Sequence, residues 1–225
     1  MADFARYLPL SQRPRSDERG VTSDRRELTA TMLRTLAEAL RTAGETGWRA
    51  AAEDGPTVER AVARLVSGFD RTPSRRALDT MRRVLGVEGR NDDEAEPLTS
   101  AADAAAALDV RATVIIERPQ PTGIVELDDA VVAAILVGDA LGRPIAIPPL
   151  ASGSVALRRA AGAPTPIRAV IMGHSLHATD AAWTIGHGAV LVGTAHELIR
   201  FLAGIGNQAP HAPHDGEHDR SDTPG

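Results

Sequence analysis

The chain has 225 residues, 43% of them hydrophobic, and a formal net charge of −5 at pH 7. This size predicts one or two domains, and the lack of a dense basic stripe predicts that nucleic acid is not a partner. The sequence contains neither cysteine nor lysine, which excludes disulfides, thiolate nucleophiles, cysteine–zinc sites and lysine Schiff bases.

No segment of the sequence has the length and composition of a membrane span. The longest strongly apolar run, residues 130–137, is far shorter than the roughly 20 residues that a spanning helix needs. The first ten residues also lack the pattern of a signal peptide. The sequence therefore predicts a cytoplasmic protein without a membrane partner.

The N-terminal part of the chain predicts helices. Residues 1–22 mix Pro, Arg, Ser and Asp without periodicity, which predicts a flexible arm. Apolar residues at three- and four-residue spacing then predict a helical unit over residues 23–87. Its three helices are expected to start at Ser23, Thr57 and Thr72, the first ending at Gly44 and the third at Gly86. Residues 88–98 are acidic and predict a linker.

The pattern of residues 99–206 predicts an α/β domain. After an alanine-rich helix over residues 100–108, strands alternate with helices. The expected strands cover residues 112–117, 144–147, 167–172 and 189–192, and the expected helices cover 126–141, 154–161, 176–185 and 195–203. The predicted fold is a small three-layer, mostly parallel sheet with helices on both faces. Residues 207–225 predict a disordered tail.

In such a fold, ligands bind where the strands end and the next helices begin. Glycine and hydroxyl residues follow three of the four predicted strands, and an arginine follows the first. Helix N-termini of this kind favour anions. The predicted ligand-binding residues are Arg118, Ser152, Gly153, Ser154, Gly173, His174, Ser175 and Thr194. They predict a pocket for an anionic small molecule. The sequence leaves the question of a cofactor open.

Residues 173–177, Gly-His-Ser-Leu-His, suggest two alternative chemistries. The segment partly matches the nucleophile-elbow pattern G-x-S-x-G, which makes Ser175 a candidate nucleophile and His196 a candidate base. His177 stands where that pattern has glycine. If the segment begins a helix, His174 and His177 share one face and are candidate metal ligands, although the sequence does not require a metal.

Three functional classes follow from these patterns. The first is a non-catalytic or regulatory module that binds an anionic small molecule and contacts proteins through its helical unit. The second is a hydrolase that depends on Ser175 or on a metal at His174 and His177. The third is a structural self-assembly protein. Two predicted helices are apolar on more than one face, which predicts a homo-oligomer or a protein partner.

Overall fold

The computed structural model describes residues 24–53, 55–70, 98–206 and 208–213, and this part of the chain is mainly helical. The helices are α1 (Arg26–Trp48), α2 (Val58–Asp70), α3 (Ala101–Glu117), α4 (Ile124–Ala140), α5 (Pro149–Ala161), α6 (Thr165–Ile171) and α7 (Ala195–Ala203). The strands are β1 (His174–Ala178), β2 (Thr184–Gly186) and β3 (Ala189–Gly193). Among the described helices, none combines the length and the apolar character that crossing a membrane requires.

The predicted three-layer parallel sheet is wrong. The structure has one sheet of three strands in the order β2-β1-β3, in which β1 pairs antiparallel with β2 and parallel with β3. The predicted strand over residues 189–192 corresponds to β3. The predicted helix over residues 176–185 is instead most of the β1–β2 hairpin.

The strand predicted over residues 112–117 is the last part of α3. Ser100 caps this helix, because its hydroxyl accepts a hydrogen bond from the backbone amide of Asp103. Buried side chains recur along the helix every one to four residues, at Ala101, Ala104, Ala105, Leu108, Ala112 and Ile115. This helical burial outweighs the strand preference of its β-branched residues.

Two further predicted strands are also wrong. Residues 144–147 have no regular secondary structure, and α5 begins just after them. Residues 167–172 belong mostly to α6, which has Pro166 in its first turn, where a missing amide hydrogen costs nothing. The predicted helices over residues 126–141 and 154–161 correspond to α4 and to the larger part of α5.

The helices predicted from Ser23 and Thr57 correspond to α1 and α2. At Gly44, the expected end of the first, the helix is interrupted by a backbone with φ of 60° before it continues to Trp48. The predicted arm, the third helix over residues 72–86, residues 88–97 of the linker and most of the tail lie outside the described residues. Buried side chains of α1 and α2 join those of α3, α4, α5 and α7 in one continuous core.

Helix α4 lies at the centre of this core. It contacts α1, α2, α5 and α7, and Asp129 is its only exposed residue. A helix that is apolar around most of its circumference is stable only when other elements surround it. After its first turn, α4 has two acidic residues that are not exposed, Asp128 and Asp139. Each is paired with arginine from a neighbouring helix.

Asp128 connects α4 to α5. Its side chain is almost fully buried and accepts hydrogen bonds from Arg159 at 2.5 and 3.2 Å and from Arg158 at 3.2 Å. Both arginines keep part of their surface in water, which reduces the cost of bringing these charges into the protein. These ion pairs of Asp128 therefore fix the position of α5 on α4.

We expect Asp128→Asn to lower the free energy of unfolding by about 2 kcal/mol, because it leaves two guanidinium groups beside a neutral, buried amide. Urea denaturation followed by circular dichroism measures the change. The matched control is Asp109→Asn, which disrupts the half-exposed ion pair with Arg41 and should change stability far less. Equal losses for the two variants would contradict the structural role of Asp128.

Candidate functional site

Of the residues predicted to bind an anion, only Thr194 lies at the carboxyl end of a parallel strand. Ser152, Gly153 and Ser154 are in the first two turns of α5, and the segment directly before this helix, residues 141–148, contains no strand. Gly173, with φ of 76°, immediately precedes β1, and His174 and Ser175 are the first two residues of that strand. Thr194 alone follows a strand and leads directly into a helix. The geometric basis of the predicted anion pocket is therefore missing.

Ser175 and His196 make separate interactions. The Ser175 side chain is buried, with 7% of the residue exposed, and its hydroxyl donates to the carbonyl of Gly188 at 3.4 Å. The His196 Nε2 atom donates to Asp139 Oδ1 at 3.1 Å, and Arg200 pairs with the same carboxylate. Among the described hydrogen bonds, none joins the serine to an imidazole, which a general-base mechanism needs.

The two candidate metal ligands lie on a strand, not on a helix. Residues three apart on a strand point to opposite faces, so His174 and His177 diverge. The Nδ1 atom of His174 donates to the carbonyl of Met172 at 3.2 Å, and that of His177 lies 2.9 Å from Thr184 Oγ1. Within the described ranges there is no group of three or more side chains that could hold a metal ion.

Thr194 and Arg118 have structural partners. Thr194 caps α7 through a capping box with Glu197, and the carboxylate of Asp180 accepts a hydrogen bond from the next amide, that of Ala195, at 2.6 Å. These interactions occupy the N-terminus of α7. The carbonyl of Arg118 accepts a hydrogen bond from Arg26 at 2.6 Å, which ties the end of α3 to the start of α1.

An open groove runs between α5 and β2, and we call it the α5–β2 groove. It has a volume of about 550 Å³. Five residues of α5 and five from the β2 region line it, namely Pro149, Leu150, Gly153, Ser154, Leu157, Ala182, Trp183, Thr184, Ile185 and Gly186. None of the ten carries a charge. Leu150 and Leu157 are 64% and 59% exposed, which is unusual for large aliphatic side chains in one depression.

Trp183 is the one aromatic residue among the ten that line the α5–β2 groove. Its indole nitrogen donates to the hydroxyl of Ser152 at 3.0 Å, and that hydroxyl donates in turn to the carbonyl of Pro149 at 3.0 Å. Its ring lies against Gly153, where an added Cβ atom would come within 3.1 Å of the ring. The serine and glycine that the sequence singled out as anion ligands thus hold an aromatic side chain.

Comparisons with protein-family models, curated proteins and solved structures found no match to this chain.

The sequence analysis did not predict the α5–β2 groove. A signal for one wall was present, since Leu150 and Leu157 are seven residues apart and share a helix face. The same spacing is typical of a buried face, so the sequence does not show that these side chains are exposed. Ser152, Gly153 and Ser154 were predicted as site residues, and they lie in or beside the groove for a different physical reason.

We expect Ser152→Ala to lower the free energy of unfolding by about 1 kcal/mol, because the Trp183 indole loses its acceptor. The indole hydrogen should also exchange faster with solvent, which two-dimensional NMR detects. Trp48, buried in α1, is an internal reference. The control variant Ser154→Ala should leave both indole signals unchanged, and unchanged Trp183 exchange in Ser152→Ala would contradict the assigned hydrogen bond.

The cap formed by Glu197 at the start of α7 is expected to lose stability in acid. Hydrogen bonds from the Thr194 backbone amide, and then from its hydroxyl, lower the pKa of Glu197. A lowered pKa in the folded state adds stability above the ordinary glutamate pKa of about 4.3, and this stability is lost as the pH falls through the folded value. We expect Glu197→Gln to be less stable than the parent chain at pH 7, with the difference disappearing at lower pH. A difference in urea midpoint that persisted at pH 2 would contradict this role.

Proposed function

We propose that the chain is a protein-interaction module whose α5–β2 groove binds an apolar segment of a partner protein. The observation that carries the proposal is the pair of exposed leucines, Leu150 and Leu157, on one wall of an uncharged groove that Trp183 also lines. Isolated exposed leucines are common on proteins, whereas clustered ones beside an aromatic ring are typical of binding surfaces.

The energetics favour an apolar occupant. Burying one leucine side chain contributes about 1.5–3 kcal/mol. Covering both leucines therefore favours binding of an apolar segment over leaving them in contact with water. Trp183 adds a large, oriented surface, since its hydrogen bond to Ser152 and its contact with Gly153 hold the ring in place. Little side-chain freedom is lost when a rigid aromatic residue enters an interface.

The alternative functions receive less support from the geometry. An anionic small molecule would need cationic or amide donors, and the α5–β2 groove has no charged side chain. A hydrolase would need a base beside Ser175, whose hydroxyl instead donates to a backbone carbonyl. In self-assembly, a second copy of the chain would bind to the same apolar surface. Experiment must therefore distinguish self-assembly from the binding of a different partner protein.

The proposal predicts that the chain selects apolar peptides from a random library displayed on phage. Synthetic versions of the selected peptides should lose at least tenfold in affinity for the Leu157→Asp variant, because an exposed leucine that the peptide would cover is replaced by an unpaired charge. Isothermal titration calorimetry measures the affinities. Val110→Asp is the matched control, since Val110 is 62% exposed on α3, outside the groove.

Equal affinities for the parent chain and for Leu157→Asp would contradict binding at the α5–β2 groove. Light scattering over a concentration series tests the competing occupant. A dimer that Leu157→Asp dissociates, together with a failure to select peptides, would assign the groove to a second copy of the chain.

A further inference from the structure

We infer that the partner segment binds in an extended conformation as a fourth strand, added to the outer edge of β2. This inference rests on the proposed function and specifies the conformation and chemistry of the ligand. It follows from the direction of the β2 backbone groups, the position of the α5 leucines and the lack of charge in the groove.

The pairing of β1 with β2 fixes which backbone groups face outward. The amide of Ala178 donates to the carbonyl of Trp183 at 3.2 Å, and Leu176 pairs with Ile185 two residues further on. Alternate residues of an antiparallel pair exchange hydrogen bonds, so the amide and carbonyl of Ile185 point toward β1. The amide and carbonyl of Thr184 and the amide of Gly186 point away from it, whereas Gly186 itself, with φ of 94°, ends the regular alternation.

Among the strands of the described residues, none lies beside the outer edge of β2. In the described part of the chain, no backbone hydrogen bond from another segment reaches the amide or carbonyl of Thr184 or Gly186. The opposite edge of the sheet differs, because Val192 of β3 pairs with His211. An unpaired edge strand offers the donors and acceptors that an extended peptide uses when it extends a sheet.

The leucines of α5 suit the side chains of an added strand. Leu150 and Leu157 are seven residues apart, which corresponds to about 10 Å along a helix. Successive side chains on one side of a strand are about 6.7 Å apart, so two of them fit along this span. A strand beside β2 thus makes backbone hydrogen bonds on one edge and apolar contacts with α5 and Trp183.

The charge of the groove restricts the side chains that face α5. With no charged residue among the ten that line the groove, a charged side chain there would lose hydration without gaining a partner. The ligand class is therefore an extended peptide with uncharged, aliphatic side chains at alternate positions. The positions between them face solvent and accept polar residues.

The test is an N-methyl scan of a peptide selected by the full chain. Each backbone amide is methylated in turn, and the affinity is measured by calorimetry. An added strand uses every second amide, so affinity should fall at least tenfold at alternate positions and stay within twofold at the others. A peptide that binds as a helix would lose affinity at every interior position, and one that binds through side chains alone would show no alternation.

A second measurement observes β2 directly. On saturation with the selected peptide, the amide hydrogens of Thr184 and Gly186 should exchange at least tenfold more slowly in NMR. The amide of Ile185, already paired with β1, should change little. Unprotected Thr184 and Gly186 amides in the presence of a bound peptide would overturn the added strand.

The outcomes separate this inference from the proposed function. Peptides whose affinity depends on Leu157 but shows no alternation in the scan would support the interaction module and overturn the added strand. Failure to select any peptide that depends on Leu157 would overturn both. A peptide that tolerates charged residues at the positions facing α5 would overturn the assigned ligand chemistry alone.

Discussion

The burial of α4 is the constraint on which the other elements depend. This helix has a single exposed residue, so α1, α2, α5 and α7 must cover it at the same time. The acids Asp128 and Asp139 make this covering specific, because each meets arginine from one particular neighbour, α5 or α7. Apolar contact alone would allow these helices to slide, whereas a partly buried carboxylate accepts its donors only in a narrow range of positions. The placement of α5, and with it one wall of the α5–β2 groove, therefore follows from contacts made on the opposite side of that helix.

Local signals predicted some elements well and others badly. The helix over residues 195–203 was predicted with the bounds of α7, because Thr194 and Glu197 form a cap that depends only on neighbouring residues. The strand over residues 112–117 was wrong, since its β-branched residues favour a strand locally while the whole of α3 buries one helical face. The predicted sheet was wrong for the same reason, because whether a short apolar segment forms a strand or a helix depends on partners far away in the chain. Because most of the predicted strands do not form, the predicted anion site lacks the row of parallel strand ends on which it depended.

The groove shows a different limit of sequence reasoning. Leu150 and Leu157 look like core residues in the sequence, and nothing local distinguishes an aliphatic face that is covered from one that is exposed. Trp183 packs against Gly153, and it also lines a surface depression. The same side chains therefore have a structural role and, under the proposed function, a recognition role. Only the positions of α5 and β2 relative to each other separate the two roles.

The segment after α7 returns to the sheet, where His211 forms a single bridge with Val192 of β3. Proline lies on both sides of this bridge, at positions 210 and 213. In the antiparallel register set by that bridge, Pro213 falls opposite Val190 and has no amide hydrogen to donate. Hydrogen bonding along this side of the sheet is thus interrupted by the chain itself. If a strand adds to β2 as proposed, the sheet is therefore extended at that edge, while Pro213 disfavours further pairing at the β3 edge.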